Sequence, residues 1–241
     1  MKTLVEVRKG RDFSVRNLGT LDIEQPINVP GAGLLGVFRT RVNLARSQSK
    51  AGEWADLLIE TTEVPAYDAI SLLPSDTTRL AIAIENTIGE NEAASILFVC
   101  EFIIGQRSQP AGWEDSFSPA LYFRGSSDGS TCSLLSRSSS APSKAATLPI
   151  SHSRWEFVAG VRDPANGQIR AYLPRTGAEV STEETVFDPI DGIFRIGSGA
   201  EASGWCRTAF AAAYRRALSS SEINDIYASV KSSLAVSDIE I

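Results

Sequence analysis

Residues 155–173, WEFVAGVRDPANGQIRAYL, leave little freedom in what this chain can build locally. Trp155, Phe157, Ala159 and Val161 recur at every second position, which puts them on one side of a pleated strand. Ile169, Ala171 and Leu173 then face one way, and Arg170 and Tyr172 the other. DPANG between the two runs supplies turn residues, with Asn166–Gly167 suited to positive φ. The segment predicts a β-hairpin. A lone hairpin is marginal in water, so the rest of the chain has to supply more strands or a helix to pack on it.

Most of the chain supplies strands. SILFVCEFIIG, residues 95–105, is β-branched and aromatic on both faces and predicts a fully buried central strand. LLGVFRTRVNLA, SPALYFRG, FRIGSG and WCRTAFAAAY predict further strands, while EWADLLIETTEVPAYDAISLLP fits either a short helix or a strand. Residues 125–147, GSSDGSTCSLLSRSSSAPSKAAT, predict a long loop with at most one short strand around Leu134 and Leu135. The first thirty residues, TLVEV and DFSVRNL around RKGR, predict a hairpin or extended arm, closed by the Pro/Gly-rich QPINVPGAG.

The exception is YRRALSSSEINDIYASVKSSLA, residues 214–235. Ser219 is placed as an N-cap with Glu222 completing a capping box, and Ile223, Ile226, Tyr227, Val230 and Leu234 form one apolar stripe. So short a helix must dock to be stable. The closing AVSDIEI alternates and is expected to pair with the N-terminal arm. The expected organisation is a docking arm over residues 1–30 and one β-sandwich over 31–241.

A chain of 241 residues suits one large β domain. Its net charge of −6 argues against nucleic acid as the main partner. Residues 1–50 carry +5 and the remainder −11, a polarity suited to association between copies or with an acidic partner. No run has the length of a membrane span, and the N-terminus lacks the apolar h-region of a signal peptide, so synthesis and folding in a cytoplasm are expected. Cys100, Cys132 and Cys206 are odd in number and widely spaced, which predicts buried reduced thiols rather than disulfides or a zinc site.

From Trp155 onward, a Trp-led strand is followed by a turn, a second strand, the IG of Ile196–Gly197, and YRRALSSSEINDIY at 214–227. This order resembles the C-terminal half of a concanavalin A-like lectin/glucanase domain of the laminin-G-like kind. The resemblance covers roughly a third of the chain. It implies an all-β fold, a two-sheet antiparallel jelly-roll sandwich, with the short C-terminal helix sealing one edge or end. It also implies a choice of roles, because this fold hosts glycosidases, lectins, adhesion modules and structural proteins.

Hydrolases of that superfamily place alternate carboxylates on one strand, and no such run occurs here. Glu53, Asp56 and Glu60 have helical offsets, and Glu85, Glu90 and Glu92 surround a glycine turn. Glu101 is the best single candidate for an acid/base, against the plainer reading of a Glu paired with an Arg. The lone histidine, His152, reads as a surface residue. For calcium, the candidate ligands are Asp163 and Asn166 in the hairpin turn and Asp188 and Asp191 in FDPIDG, although Asx turns explain them equally well. For sugars, Trp54, Trp113, Tyr122 and Trp205 offer aromatic faces. Trp113, in QPAGWEDSFSP, is expected to be exposed on a loop, and Trp113 with Tyr122 forms the candidate carbohydrate site.

These readings predict a non-catalytic interaction or structural module without an obligatory cofactor. The first expectation is a phage virion component (tail, fibre or capsid-associated), homo-oligomeric, docked on virion subunits or touching host glycans. The alternative is a carbohydrate-binding module or lectin from a longer secreted protein. A glycosidase or polysaccharide lyase is the third.

Overall fold

The computed structural model describes residue 32, strand segments between 34 and 82 as backbone, and residues 88–105, 107–113, 119–190, 194–196, 206–235 and 239–241. The expected arm over 1–30 and its pairing with AVSDIEI lie outside the described residues. The strands in chain order are β1 (Leu34–Arg41), β2 (Leu44–Gln48), β3 (Trp54–Ile59), β4 (Ala66–Tyr67), β5 (Leu72–Leu73), β6 (Leu80–Ile82), β7 (Ala94–Phe102) and β8 (Ala111–Trp113). They continue with β9 (Ala120–Gly125), β10 (Thr131–Arg137), β11 (Lys144–Pro149), β12 (Trp155–Asp163), β13 (Gln168–Leu173), β14 (Ala178–Glu183), β15 (Phe194–Ile196) and β16 (Cys206–Tyr214), and α1 follows over Ser220–Ala235. The segment that fitted helix or strand equally is thus strand at 54–59, 66–67 and 72–73.

The strands form a jelly-roll sandwich of two antiparallel sheets. The first runs β2-β1-β16-β7-β12-β13-β14 and the second β11-β10-β9-β8-β15-β6-β3, with β2 pairing β3 where they meet. Between the layers, Ile96, Phe98, Val158, Ile169 and Ala171 of the first sheet meet Trp113, Leu121, Phe123, Leu134 and Phe194 of the second. The approach is close at Gly160, where a Cβ would lie 2.6 Å from the Phe123 ring.

β7 is central, flanked by β12 and β16, and is buried on both faces as its composition predicts. The hairpin forms as expected. A 3₁₀ turn over Pro164–Asn166 joins β12 to β13, and the positive φ falls on Gly167 at 61°. The long loop expected at 125–147 is instead a second hairpin, β10–β11, in full register from Thr131↔Pro149 to Ser136↔Lys144. Its inward positions are small or aliphatic (Cys132, Leu134, Ala146, Leu148) and its outward ones include Ser133 and Thr147. Serine-rich sequence here pairs because the inward half of the alternation is apolar.

Because β7, β12 and β16 are apolar on both faces, this sandwich needs a second core, and α1 closes it. Ile223, Ile226, Val230 and Leu234 pack on Leu97, Val99, Phe157, Ala159, Phe210 and Ala212. Tyr227 meets Phe157 edge-on at 5.5 Å. The helix therefore covers the outer face of the first sheet, not an edge or end of the sandwich. Its start is the expected capping box: Glu222 N donates to Ser219 Oγ at 3.2 Å and Ser219 N to Glu222 Oε2 at 2.9 Å. Arg170 ties the docked end by donating to Ser220 Oγ and to Leu218 O. Among the described residues, no helix is long and apolar enough to cross a membrane.

Cys100, Cys132 and Cys206 are free, buried thiols in the inter-sheet core, and burial pushes Cys100 and Cys132 well above the ordinary thiol pKa. With thiolate suppressed and access closed, none is expected to react with Ellman's reagent over an hour in native buffer, whereas all three should titrate in 6 M guanidinium. A native thiol count of one or more would contradict this packing.

Candidate functional site

With one outer face of the sandwich taken by α1, the candidate recognition surface among the described residues is the outer face of the second sheet, where Arg124 and Ser133 are half-buried and Thr147 is exposed. Alternation points Leu121 and Phe123 of β9, and Cys132 and Leu134 of β10, into the core. Ala120, Tyr122 and Arg124, and Ser133, Leu135 and Arg137, therefore face outward. Register aligns them: Arg195, Gly112, Tyr122, Leu135 and Ala145 form one row across β15, β8, β9, β10 and β11. Arg124, Ser133 and Thr147 form the next.

Glycine at 112 is demanded by this row. Its φ is 153°, and a Cβ there would lie 2.3 Å from both Cα and Cβ of Tyr122. Tyr122 lies on the outer face, as a stacking residue would, but it is buried with Ala120 and Leu135 in a small apolar cluster. Arg137 donates to its hydroxyl at 3.0 Å and lies 5.6 Å from its ring centroid. Trp113, expected on an exposed loop, is a fully buried core residue 4.8 Å from Phe194. Its polar neighbours in sequence hid the alternation Ala111, Trp113. The structure therefore does not bring Trp113 and Tyr122 to one open aromatic platform. Of the other ring candidates, Trp205 and the side chain of Trp54 lie outside the described residues.

Three of the calcium candidates, Asp163, Asn166 and Asp188, are already engaged. Asn166 Nδ2 donates to Asp163 Oδ2 at 2.8 Å. Asp188 Oδ2 accepts from Ser138 Oγ, Ser139 N and Ser139 Oγ at 2.7–2.8 Å, tying the β10–β11 loop to the segment before β15. Asp191 lies outside the described residues. Among the described residues, no group of three or more His, Cys, Asp or Glu is arranged to hold a metal ion. The nearby cation is Arg162, which donates to Asp188 O at 2.7 Å, lies 5.3 Å from the Phe187 ring centroid and is drawn down to about 10 by burial.

Hydrogen bonds from Ser138, then Ser139, hold the Asp188 carboxyl below the ordinary carboxylate pKa. A depressed carboxyl stabilises the fold above its unfolded pKa, and the contribution is lost as pH falls through the folded value. Asp188→Asn is therefore expected to loosen the 138–143 loop near neutral pH, read as faster trypsin cleavage after Arg137 or Lys144. Wild type should reach that rate only at pH below the ordinary carboxylate range, compared by hydrogen exchange of the same loop.

Glu101 is paired with an arginine, the plainer of its two readings. It accepts from Arg207 Nη1 at 2.6 Å, and Arg207 lies 5.2 Å from the Trp155 ring centroid. Glu156, which sequence reasoning passed over, is a fully buried carboxylate held by Arg175 at 2.7 and 3.1 Å. Of the glycine-turn carboxylates, Glu92 accepts from Gly89 N at 2.7 Å, and Glu85 lies outside the described residues. His152 is exposed, on a loop against Gly129, as expected.

No protein-family model matches the chain, and no curated protein matches it. Solved structures do share its fold. The botulinum neurotoxin serotype D binding domain aligns with a TM-score of 0.63 at 12% identity, over 82% of this chain and 51% of that one. Domain 4 of AbnA, a GH43 extracellular arabinanase from Geobacillus stearothermophilus solved with arabinotriose, aligns with a TM-score of 0.59 at 15% identity, over 81% of this chain and 98% of the domain. Trypanosoma rangeli sialidase aligns with a TM-score of 0.56 at 16% identity, over 83% of this chain and 33% of that chain. This chain thus spans about half the length of the neurotoxin binding domains it matches.

Proposed function

We propose that this chain is a non-catalytic carbohydrate-binding module. The observation that carries the reading is its near-coextensive match to an arabinanase domain solved with a bound trisaccharide, 98% of that domain against 81% of this chain. The placement of α1 agrees with it: the first sheet is capped, while the second keeps outward Arg124, Ser133 and Thr147 beside the buried Ala120, Tyr122 and Leu135. The ion-paired Glu101 supports a role without hydrolysis. The virion-component reading rests on resemblance alone and takes second place.

The test is affinity electrophoresis of the full chain through gels containing single polysaccharides, arabinan, galactan, xylan, polygalacturonate and a sulfated galactan, with calcium and with chelator. Retardation by at least one polymer, without release of reducing sugar, is the expected result. No retardation by any polymer under either condition would refute the reading.

A further inference from the structure

We infer that the glycan this module takes is anionic, and that Arg124, with the hydroxyls of Ser133 and Thr147, forms its contact strip on the outer face of the second sheet; this rests on the carbohydrate-binding reading above. β8, β9, β10, β11 and β15 carry Arg124, Arg137, Lys144 and Arg195 and not one Asp or Glu. Of these cations Arg124, Arg137 and Arg195 are at outward positions, while β3 of the same sheet holds Asp56 and Asp128 lies in the β9–β10 turn. The first sheet is mixed: Glu101, Glu156, Asp163, Glu179 and Glu183 stand beside Arg39, Arg41, Arg46, Arg162, Arg170 and Arg207.

Geometry turns that composition into a site. Arg124, Ser133 and Thr147 are directly opposite one another on three neighbouring strands. Their backbones are therefore about 4.8 Å apart from strand to strand. Ser133 and Thr147 share a 2.8 Å hydroxyl–hydroxyl hydrogen bond, so the pair can take and give hydrogen bonds as a unit. Thr147 is exposed, Arg124 and Ser133 are half-buried, and the exposed outward neighbours on β11, Ala145 and Pro149, are too short to stand over the strip. A guanidinium forks onto a carboxylate or a sulfate with two parallel hydrogen bonds, and the adjacent hydroxyls match the hydroxyls of the same sugar residue. Arg195 lies two strands away and one row over, about 12 Å from Arg124 by strand spacing.

The test uses the full chain in titration calorimetry against polygalacturonate as the carboxylated polymer, a sulfated galactan, neutral galactan, and a single-stranded oligonucleotide. Each is measured at low and at 0.5 M salt. The expected result is binding to one or both acidic polymers, weakened by salt, with neutral galactan binding more weakly. The two acidic arms tell whether carboxylate or sulfate is read. Arg124→Gln should weaken that binding about tenfold, and Arg124→Lys, which keeps the charge but loses the fork, by less. Thr147→Asp, at an exposed position that does not carry the fold, should weaken it by a similar tenfold through charge repulsion.

Binding confined to the neutral polymer, or acidic binding indifferent to both Arg124→Gln and Thr147→Asp, would overturn this inference and leave the carbohydrate-binding reading standing. Equal affinity for the oligonucleotide would overturn it as general polyanion attraction. Binding to no glycan would overturn both.

Discussion

Phe98→Ala is expected to destabilise the protein by about 3–5 kcal/mol, the range for deleting a buried aromatic ring from a close-packed core. Phe98 is fully buried on the inward face of β7, the strand at the centre of the first sheet. Its ring meets Phe123 of the opposite sheet edge-on, with centroids 4.9 Å apart and planes at 68°, and Phe102 at 6.4 Å and 73°. Phe123 also presses on Gly160, where even a Cβ would be too close. The site is packed from both sheets, so the cavity left by alanine has little means of collapsing. Equilibrium urea unfolding measures the effect as a fall in midpoint at unchanged slope. Phe98→Leu should cost far less, about 1 kcal/mol, because it keeps most of the volume. A loss below about 1 kcal/mol for Phe98→Ala would mean that the sheets do not meet face to face there.

What could be read in advance follows from how strongly each segment declares its period. The β12–β13 hairpin and α1 were legible because bulky residues repeat at two and at 3.6, and turn or cap residues bracket them. β10–β11 was not, because its apolar half is Cys132, Leu134, Ala146 and Leu148, and serine and alanine between them look like loop. β14 escaped for a related reason: Ala178, Val180 and Thr182 alternate with Glu179, Ser181 and Glu183, a weak signal typical of an edge strand. The helix was legible as a helix but not as to place. Apolar residues on both faces of β7 and β12 do signal two cores, yet only the fold shows which core takes the helix.

The site was legible least of all. A search for aromatic platforms led to Trp113 and Tyr122, both buried, whereas the strip Arg124, Ser133 and Thr147 exists only because β9, β10 and β11 pair in one register. The outward position of Arg124 was readable from the alternation in ALYFRG. Its neighbours 9 and 23 residues later were not, since pairing is a tertiary fact.

Ile226→Asp should be the most damaging single change on α1, costing about 5 kcal/mol and exposing the outer face of the first sheet. Ile226 is fully buried in the cluster that joins the helix to β7, β12 and β16. Deleting its side chain alone would cost about 2–5 kcal/mol, and a carboxylate in its place has to be desolvated as well. A sixteen-residue helix gains most of its stability from docking rather than propensity, so the loss is not recovered by the helix standing free. Leu97, Val99, Phe157 and Phe210 would then face water, a contiguous apolar surface prone to association. Chemical denaturation and dye binding by exposed apolar surface measure the two effects together. Ala228→Asp, on the exposed side of the same helix, is the control and should change stability by less than about 1 kcal/mol. Equal effects at 226 and 228 would place the helix off the sheet. A large effect at 226 alone fixes α1 as the cap of the first sheet.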